Sequence, residues 1–527
     1  MPKNQSGDYP SLDDVLIKHQ ASITAYFGSL IISLWALLRF ITVKSSFDLV
    51  GQQVLTKQWL NGQSSHAVIG TTNYLWKMLL LYSPMDELPG SPRLKLIILT
   101  LIVNIATFIL LLVVLRALLK QLGVKITSSF YAALIFISAL AGSIFWVQFT
   151  NSRNLEVVGG IFLIYLVLKY LSKPNRWLVL AILSFSAVLF FSDPLQLYML
   201  ALPLAIYSLI TTYKNKQQFK LSLIVIGLLV AADVIAKLIS AAAAQLFSIS
   251  YSKVPGSSSL SSLSVSKLIH NVPRTLKAFV QLYEGGHEVG RIIELLNILL
   301  IVLAAAYFIY SVIKKRLEGR AVILVVLIVG IDSLVYLASG QAQIAGTSRY
   351  LIMTLPALVI TLSSLKLRRP WDRIFIGALV LVAAVNVLAV GDQTGQAVDH
   401  RFSADQHLAN IVTLVKSQHY PYAYASMDSA ITATYYYDAK PTLLPLSCSN
   451  GRLAKSYLFY DREVFSKASA EKVDSAPIIL DGTSINNYPS SCNEQTIAAQ
   501  LGQPLAVKAD KYGNQVLIYK TSQLAAL

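Results

Sequence analysis

Acidic, basic and aromatic polar residues recur in this chain where a long apolar run begins or ends. Asp48 lies five residues past the first run. Arg153, Asn154 and Glu156 open another, and Asp193 closes the next. His287, Glu288 and Arg291 precede a later run, and Arg349 and Tyr350 open one further on. Arginine presents a rigid fork of donors that suits phosphate oxygens. A carboxylate suits the removal of a proton from a hydroxyl. Gathered at one interface, such residues would bind a lipid phosphate and activate an acceptor hydroxyl. Each also has a plainer reading. Arginines at a membrane interface snorkel to headgroups, and Asp193 can cap the helix that follows it. Asp233 and Lys237, four residues apart inside an apolar run, can neutralise each other. Asp332, in the middle of a run, is a polar tie between helices or a proton-linked site.

The runs themselves identify the class of protein. The chain has 527 residues, of which 55% are hydrophobic and 13% charged. A soluble globular chain carries roughly 25% charged residues. Disordered, collagen-like and ordinary cytosolic classes are thereby excluded. A spanning helix needs about 20 mostly apolar residues. Eleven candidates meet that need, at about 22–43, 95–116, 128–148, 155–172, 177–193, 196–213, 221–247, 292–313, 321–340, 350–365 and 374–391. Ser192-Asp193-Pro194 predicts a tight turn between the fifth and sixth. The expected fold class is an α-helical polytopic membrane protein, with residues 1–391 in the membrane and residues 392–527 forming a small α/β domain.

The net charge of +17 invites a nucleic-acid reading, but its distribution argues against one. Residues 392–527 hold 11 Lys/Arg and 12 Asp/Glu, so the excess lies among the apolar runs. There it falls in five short connections, including Arg116 and Lys120, Lys169 and Lys173, Lys214 and Lys216, Lys314 and Arg316, and Arg368 and Arg369. The positive-inside rule puts these in the cytoplasm with the N-terminus. Eleven spans then put 392–527 outside. The two cysteines, Cys448 and Cys492, both fall there. A disulfide between them suits an oxidising compartment, and two unrelated free thiols are the alternative. Two cysteines are too few for a Cys-built metal site. Residues 1–20 carry no signal-peptide pattern, so the first span is expected to act as an uncleaved anchor in a plasma membrane, with a prokaryotic setting expected.

Two long outer loops stand out, at about 44–94 and 248–291. In the second, Val265, Leu268, Ile269, Val272, Leu276, Phe279, Val280 and Tyr283 recur at helical spacing, with Lys267, Arg274 and Lys277 between them. This predicts an amphipathic helix, lying on the membrane or against the exported domain. In the tail, Ser403 is the expected cap of a helix running to about Gln418. Tyr422–Met427, Pro477–Asp481, Leu505–Lys508 and Val516–Tyr519 read as strands, the last following a Tyr512-Gly513-Asn514 turn. No phosphate loop, Gly-x-Ser-x-Gly or His-Glu-x-x-His occurs, so the tail reads as a recognition or support unit.

The segment from Phe47 to Gly62 (FDLVGQQVLTKQWLNG) resembles the first outer loop of GT-C-fold glycosyltransferases, in which an acidic residue just beyond the first span opens a helical segment. Asn73-Tyr74-Leu75 and the apolar run to Tyr82 are similar to the next helix of that loop. Thr347-Ser348-Arg349-Tyr350-Leu351, before a span containing Pro356, resembles the family's late Arg-Tyr segment. The resemblance implies transfer of a sugar from a polyprenyl-phosphate carrier to an acceptor outside the membrane. Asp48 would then be the catalytic base. Arg349, with Tyr350 and Arg153, would contact the donor phosphate. Asn154, Glu156, Asp193, His287 and Glu288 would be candidates to line the substrate groove. Some family members need a divalent metal and others do not, so a metal stays open. Two features depart from the family. Leu49 stands where many members carry a second acid, and Thr71-Thr72-Asn73-Tyr74 replaces a Pro-Pro-Leu-Tyr-like segment. The alternatives are a lipid-linked glycan flippase or transporter, and an envelope-glycan polymerase or ligase centred on His270, Arg274, His287 and Arg291.

Overall fold

The structure is a computed structural model. It describes residues 47–60, 68–69, 78–140, 154–251, 265–283, 291–314, 317, 319–338, 351, 353–365, 370–417, 420–437, 442–449, 452–457, 460, 462–470, 473–480, 492–509 and 515–527, with Tyr26, Gly28 and Ile31. Of the expected spans, that at 22–43 lies outside the described residues apart from those last three.

Each of the other ten expected spans overlaps one of the first thirteen helices among the described residues. In chain order these are α1 (Phe47–Leu60) and α2 (Ser83–Asp86) in the first outer loop, then α3 (Pro92–Gln121), α4 (Ser128–Leu140), α5 (Asn154–Ser172), α6 (Arg176–Ser192), α7 (Leu202–Thr212), α8 (Lys216–Leu246), α9 (Val265–Tyr283), α10 (Arg291–Ile313), α11 (Gly319–Ala338), α12 (Thr354–Ser364) and α13 (Trp371–Ser417). Among the described residues five stretches, 94–121, 155–172, 216–246, 295–313 and 319–338, are long and apolar enough to cross a membrane, and shorter apolar helices accompany them. The chain is a multi-pass membrane protein.

Local chemistry sets the helix ends. Ser91 caps α3 by accepting from the Leu94 amide at 3.3 Å, and Pro92 needs no amide partner at its first position. Asn175 and Asn215 cap α6 and α8 from the opposite end of the bundle. Between α6 and α7 the chain runs through a π-helical segment, Leu197–Ala201. Pro203 supplies no amide to the carbonyl four residues back, so the ladder widens to five. Gly159 and Gly160 let α5 approach its neighbours closely. A methyl group at Gly160 would sit 3.2 Å from Leu200 Cδ2 and 3.3 Å from Met353 Cε.

Helix α13 corrects one expectation. Ser403 does not cap a helix. It lies inside a single helix of 47 residues that leaves the apolar bundle and ends against the C-terminal sheet. There Ile411, Val412 and Val415 pack with Ala423, Ala425, Ala430, Ala433, Leu443 and Ile479. The sheet has six strands in the order β5-β4-β3-β6-β8-β7, formed by Tyr422–Ser426 (β3), Thr442–Ser449 (β4), Arg452–Lys455 (β5), Ser475–Leu480 (β6), Ala506–Ala509 (β7) and Gln515–Lys520 (β8). β4, β3 and β6 are parallel, and the outer pairings are antiparallel. Helix α14 (Met427–Tyr437) follows β3 directly. Cys448 on β4 and Cys492 form a disulfide across 44 residues, with Cα atoms 6.1 Å apart. A cross-link closing a loop of that size stabilises a domain by about 3–4 kcal/mol in the chain-entropy account.

Helix α9 has three faces. Asn271, Thr275 and Ala278 are buried, and Asn271 Nδ2 donates to the Leu337 carbonyl of α11 at 3.0 Å. Val265, Ile269, Val272 and Leu276 form an exposed apolar stripe, with Ile269 67% exposed. His270, Arg274 and Lys277 are exposed on the third face. Its neighbours among the described residues are α10 and α11, which favours the membrane-surface reading.

Two outcomes are expected. A fluorophore on Ile269→Cys will be quenched by a lipid-phase nitroxide, and one on Lys277→Cys by aqueous iodide; the reverse pattern would put the apolar stripe in water. Thiol labelling of unreduced, denatured protein will find neither native cysteine free.

Candidate functional site

The first outer loop is built around α1. Among its residues Val50, Gln52, Val54, Leu55, Thr56 and Gln58 are buried, so a helix with several polar positions is enclosed by protein. Trp59 stacks on Phe247, at the end of α8, with ring centroids 5.5 Å apart. Strands Val68–Ile69 (β1) and Ser250–Tyr251 (β2) pair in parallel and join the two outer loops. From the other side α14 of the C-terminal domain packs on α1. Tyr435 of α14 donates its hydroxyl to the Pro92 carbonyl at 2.8 Å, which fixes that domain to the mouth of α3.

At this junction lies a small, half-open cavity lined by Gln53, Tyr82, Met85, Lys95, Leu99 and Tyr435. Its polar lining comes from α1, from the π-helical segment Met78–Tyr82, from the first turn of α3 and from α14. Gln53 Nε2 is buried without a hydrogen-bond partner, an arrangement that calls for an explanation such as a ligand. Burial, with Glu156 nearby, holds the Tyr82 hydroxyl above the usual tyrosine range, so it stays protonated and able to donate. One ammonium, two phenols and one carboxamide thus surround an opening with apolar walls. That set can hold an anion or a polar headgroup.

Beneath it, Glu156 and Asp193 are buried at the same end of the bundle. Ser192 donates its hydroxyl to Glu156 across α5 and α6. Asp193 accepts from the Leu195 amide at 3.2 Å and from Gln196 Nε2 at 3.4 Å, so it organises the turn that Ser192-Asp193-Pro194 predicts. Both carboxylates therefore have structural partners.

Asp48 is the second residue of α1, five positions before Gln53, and Asn154 is the first residue of α5. Arg153, His287, Glu288, Arg349 and Tyr350 lie outside the described residues. Asp233 and Lys237 are paired at 2.7 Å. Asp332 is buried with both carboxylate oxygens lacking a hydrogen-bond partner, so it is not the polar tie between helices that its position suggested. No cluster of three His, Cys, Asp or Glu able to hold a metal occurs among the described residues.

Lys95, Tyr82, Gln53 and Tyr435 are the residues that sequence reasoning missed. Lys95 stood only as the edge of a span, and Tyr435 reaches the site from 340 positions away. The one local signal was the density of glutamines in α1, at positions 52, 53 and 58.

No protein-family model matches this chain, and no curated protein does. Among solved structures, that of ArnT from Cupriavidus metallidurans in the apo state matches with a TM-score of 0.52 at 11% identity. The match covers 94% of this chain and 98% of that one. The likeness is one of fold: the chain has the GT-C fold. In that fold, Ser192→Ala is expected to lower thermal stability in detergent by about 1 kcal/mol or more, because it removes a donor from the buried Glu156 carboxylate. An unchanged melting temperature would show that Glu156 does not depend on this bond.

Proposed function

We propose that this GT-C-fold membrane protein is a glycosyltransferase. It takes a sugar from a polyprenyl-phosphate carrier at the outer face of the membrane and transfers it to an envelope glycan, lipid or protein acceptor. Under this reading eleven spans put the N-terminus inside and residues 392–527 outside a plasma membrane, where the Cys448–Cys492 disulfide is chemically at home. The observation that carries the proposal is the cavity beside α1, where Lys95, Tyr82, Tyr435 and Gln53 converge from separate parts of the chain.

The chemistry follows from the position of that cavity. A lipid-linked sugar keeps its tail in the bilayer while its phosphate lies at the interface. Asp48, in the first turn of α1, takes the proton of the acceptor hydroxyl. The acceptor oxygen forms a bond to the anomeric carbon as the bond from that carbon to the phosphate oxygen breaks. The polyprenyl phosphate leaves with the bonding pair. Its added charge is met by the Lys95 ammonium and the Tyr82 phenol, with Arg349, Tyr350 and Arg153 as further phosphate contacts. The acceptor approaches through the space between the two outer loops and the C-terminal domain, where Asn154, His287 and Glu288 are the candidate contacts.

The test uses purified protein, synthetic polyprenyl-phosphate hexoses and pentoses, and an envelope extract as acceptor, with released polyprenyl phosphate as the readout. Asp48→Asn should abolish release while leaving expression and insertion intact. Lys95→Met should raise the donor KM by on the order of tenfold, the loss of one charge-assisted phosphate contact. Full release by Asp48→Asn would remove the base. An unchanged KM in Lys95→Met would detach the cavity from the donor.

A further inference from the structure

Lys237 stands in an unusual place. Helix α8 buries Ser222, Val225, Leu229, Ala232 and Ala236, and its opposite side, with Leu223, Val230, Val234 and Leu238, is exposed. On that exposed side the Lys237 side chain is 74% accessible and bonded at 2.7 Å to Asp233, itself 21% accessible. An unbroken apolar stretch, Leu223 to Ala232, precedes the pair. A bilayer core takes up about 20 helical residues, so counting from Leu221 puts Lys237 in the third of the span that leads to Leu246. Tyr198 belongs to the neighbouring π-helical segment. It lies close enough to Lys237 to interact with it electrostatically, and it is 42% exposed.

The widened ladder before Pro203 contributes to this arrangement. A π-helical turn rotates the residues it contains relative to a regular helix. Tyr198, on that turn, is partly exposed, whereas Met199, Leu200 and Ala201 are buried. Hydrocarbon would leave an ion pair and a phenol poorly solvated, and charges facing lipid are costly unless something polar meets them. A simple anion does not suit the group, because Asp233 would repel it. A bare cation does not suit it either, because of Lys237. A headgroup that carries both signs, each able to hydrogen-bond, matches the group in charge and in donors.

We propose that Asp233, Lys237 and Tyr198 form a binding site for the headgroup of an aminophospholipid in the leaflet facing the C-terminal domain. The lipid phosphate takes donors from the Lys237 ammonium and the Tyr198 hydroxyl, and the primary ammonium of the headgroup donates to Asp233. The acyl chains lie along Val230, Val234 and Leu223. This site lies on the outside of the bundle. It is independent of the cavity beside α1 and of the reaction proposed for it.

Native mass spectrometry of the full chain in detergent tests the site, with phosphatidylethanolamine, phosphatidylcholine, phosphatidylglycerol and a short polyprenyl phosphate added separately. Wild-type protein should retain phosphatidylethanolamine over phosphatidylcholine and phosphatidylglycerol by about fivefold, in line with the coupling of a well-placed charge pair. Lys237→Met combined with Tyr198→Phe should lose that preference, and Lys237→Arg should keep it. Asp233→Asn should remove the preference for phosphatidylethanolamine over phosphatidylcholine, whose quaternary ammonium has no hydrogen to donate. A preference that survives in the double variant would overturn the site. So would phosphatidylglycerol or polyprenyl phosphate binding more tightly through Lys237, which would make the site one for anions only. These side chains face outward, and equal melting temperatures for all variants will separate a binding effect from misfolding.

Discussion

The enclosure of α1 is the constraint on which the rest of the structure depends. A short helix with glutamines at 52, 53 and 58 and a threonine at 56 would be unremarkable on a water-facing surface. Here it is covered from three directions, by the ends of the membrane helices, by the second outer loop through the β1–β2 pairing and by α14 of the C-terminal domain. Thr56 satisfies its own hydroxyl on the Gln52 carbonyl at 2.7 Å. A buried polar group without a partner costs free energy, so the enclosure holds only because apolar contacts such as Trp59 on Phe247 and the Tyr435–Pro92 bond offset it. The C-terminal domain is therefore the third wall of the outer-loop site.

Much of the membrane part was legible because it rests on a simple length requirement. Apolar runs of about 20 residues must become helices, since lipid offers the backbone no other partner. Prolines and asparagines beside them mark the ends, as Asn175, Asn215 and Ser91-Pro92 do. What was illegible arose where one element crosses between environments. α13 passes from an apolar to a polar composition near Gly391 and looks like two elements for that reason. The backbone ladder is indifferent to that change, so the helix continues to Ser417.

The C-terminal strands divide in the same physical way. β3, β6 and β8 are runs of apolar and aromatic residues, nearly all buried, and are plain in the sequence. β4 contains Pro445, which ordinarily argues against an inner strand. Its pairing with β5 begins one residue later, at Leu446, and the Pro445 carbonyl accepts from the Ser456 amide at 2.9 Å. β5 is held at the sheet edge by a side chain, since Gln500 of the helix Glu494–Leu501 bonds both the amide and the carbonyl of Leu453. Such a non-local substitute for a strand leaves no local pattern. The cavity was hidden for the same reason. Asp48 could be found by its distance from an apolar run, but Lys95 and Tyr435 acquire meaning only when α3 and α14 meet.

A comparison within the molecule separates ordinary burial from burial that awaits a ligand. Deep in the bundle Asn297 and Asn386 exchange hydrogen bonds at 3.0 and 2.8 Å and lock α10 to α13. Thr212 and Ser222 do the same for α7 and α8 at 2.7 Å. Those pairs are complete, and nothing further is required of them. In α1, by contrast, Gln53, Gln58 and Trp59 each keep a buried polar atom with no partner. If these atoms served only to fold the protein, apolar residues of similar size would serve better, since replacing unmatched polar groups by apolar ones is neutral or stabilising. Of these, Gln53 lines the cavity that holds a lysine and two phenols, where a polar ligand would supply the missing partner.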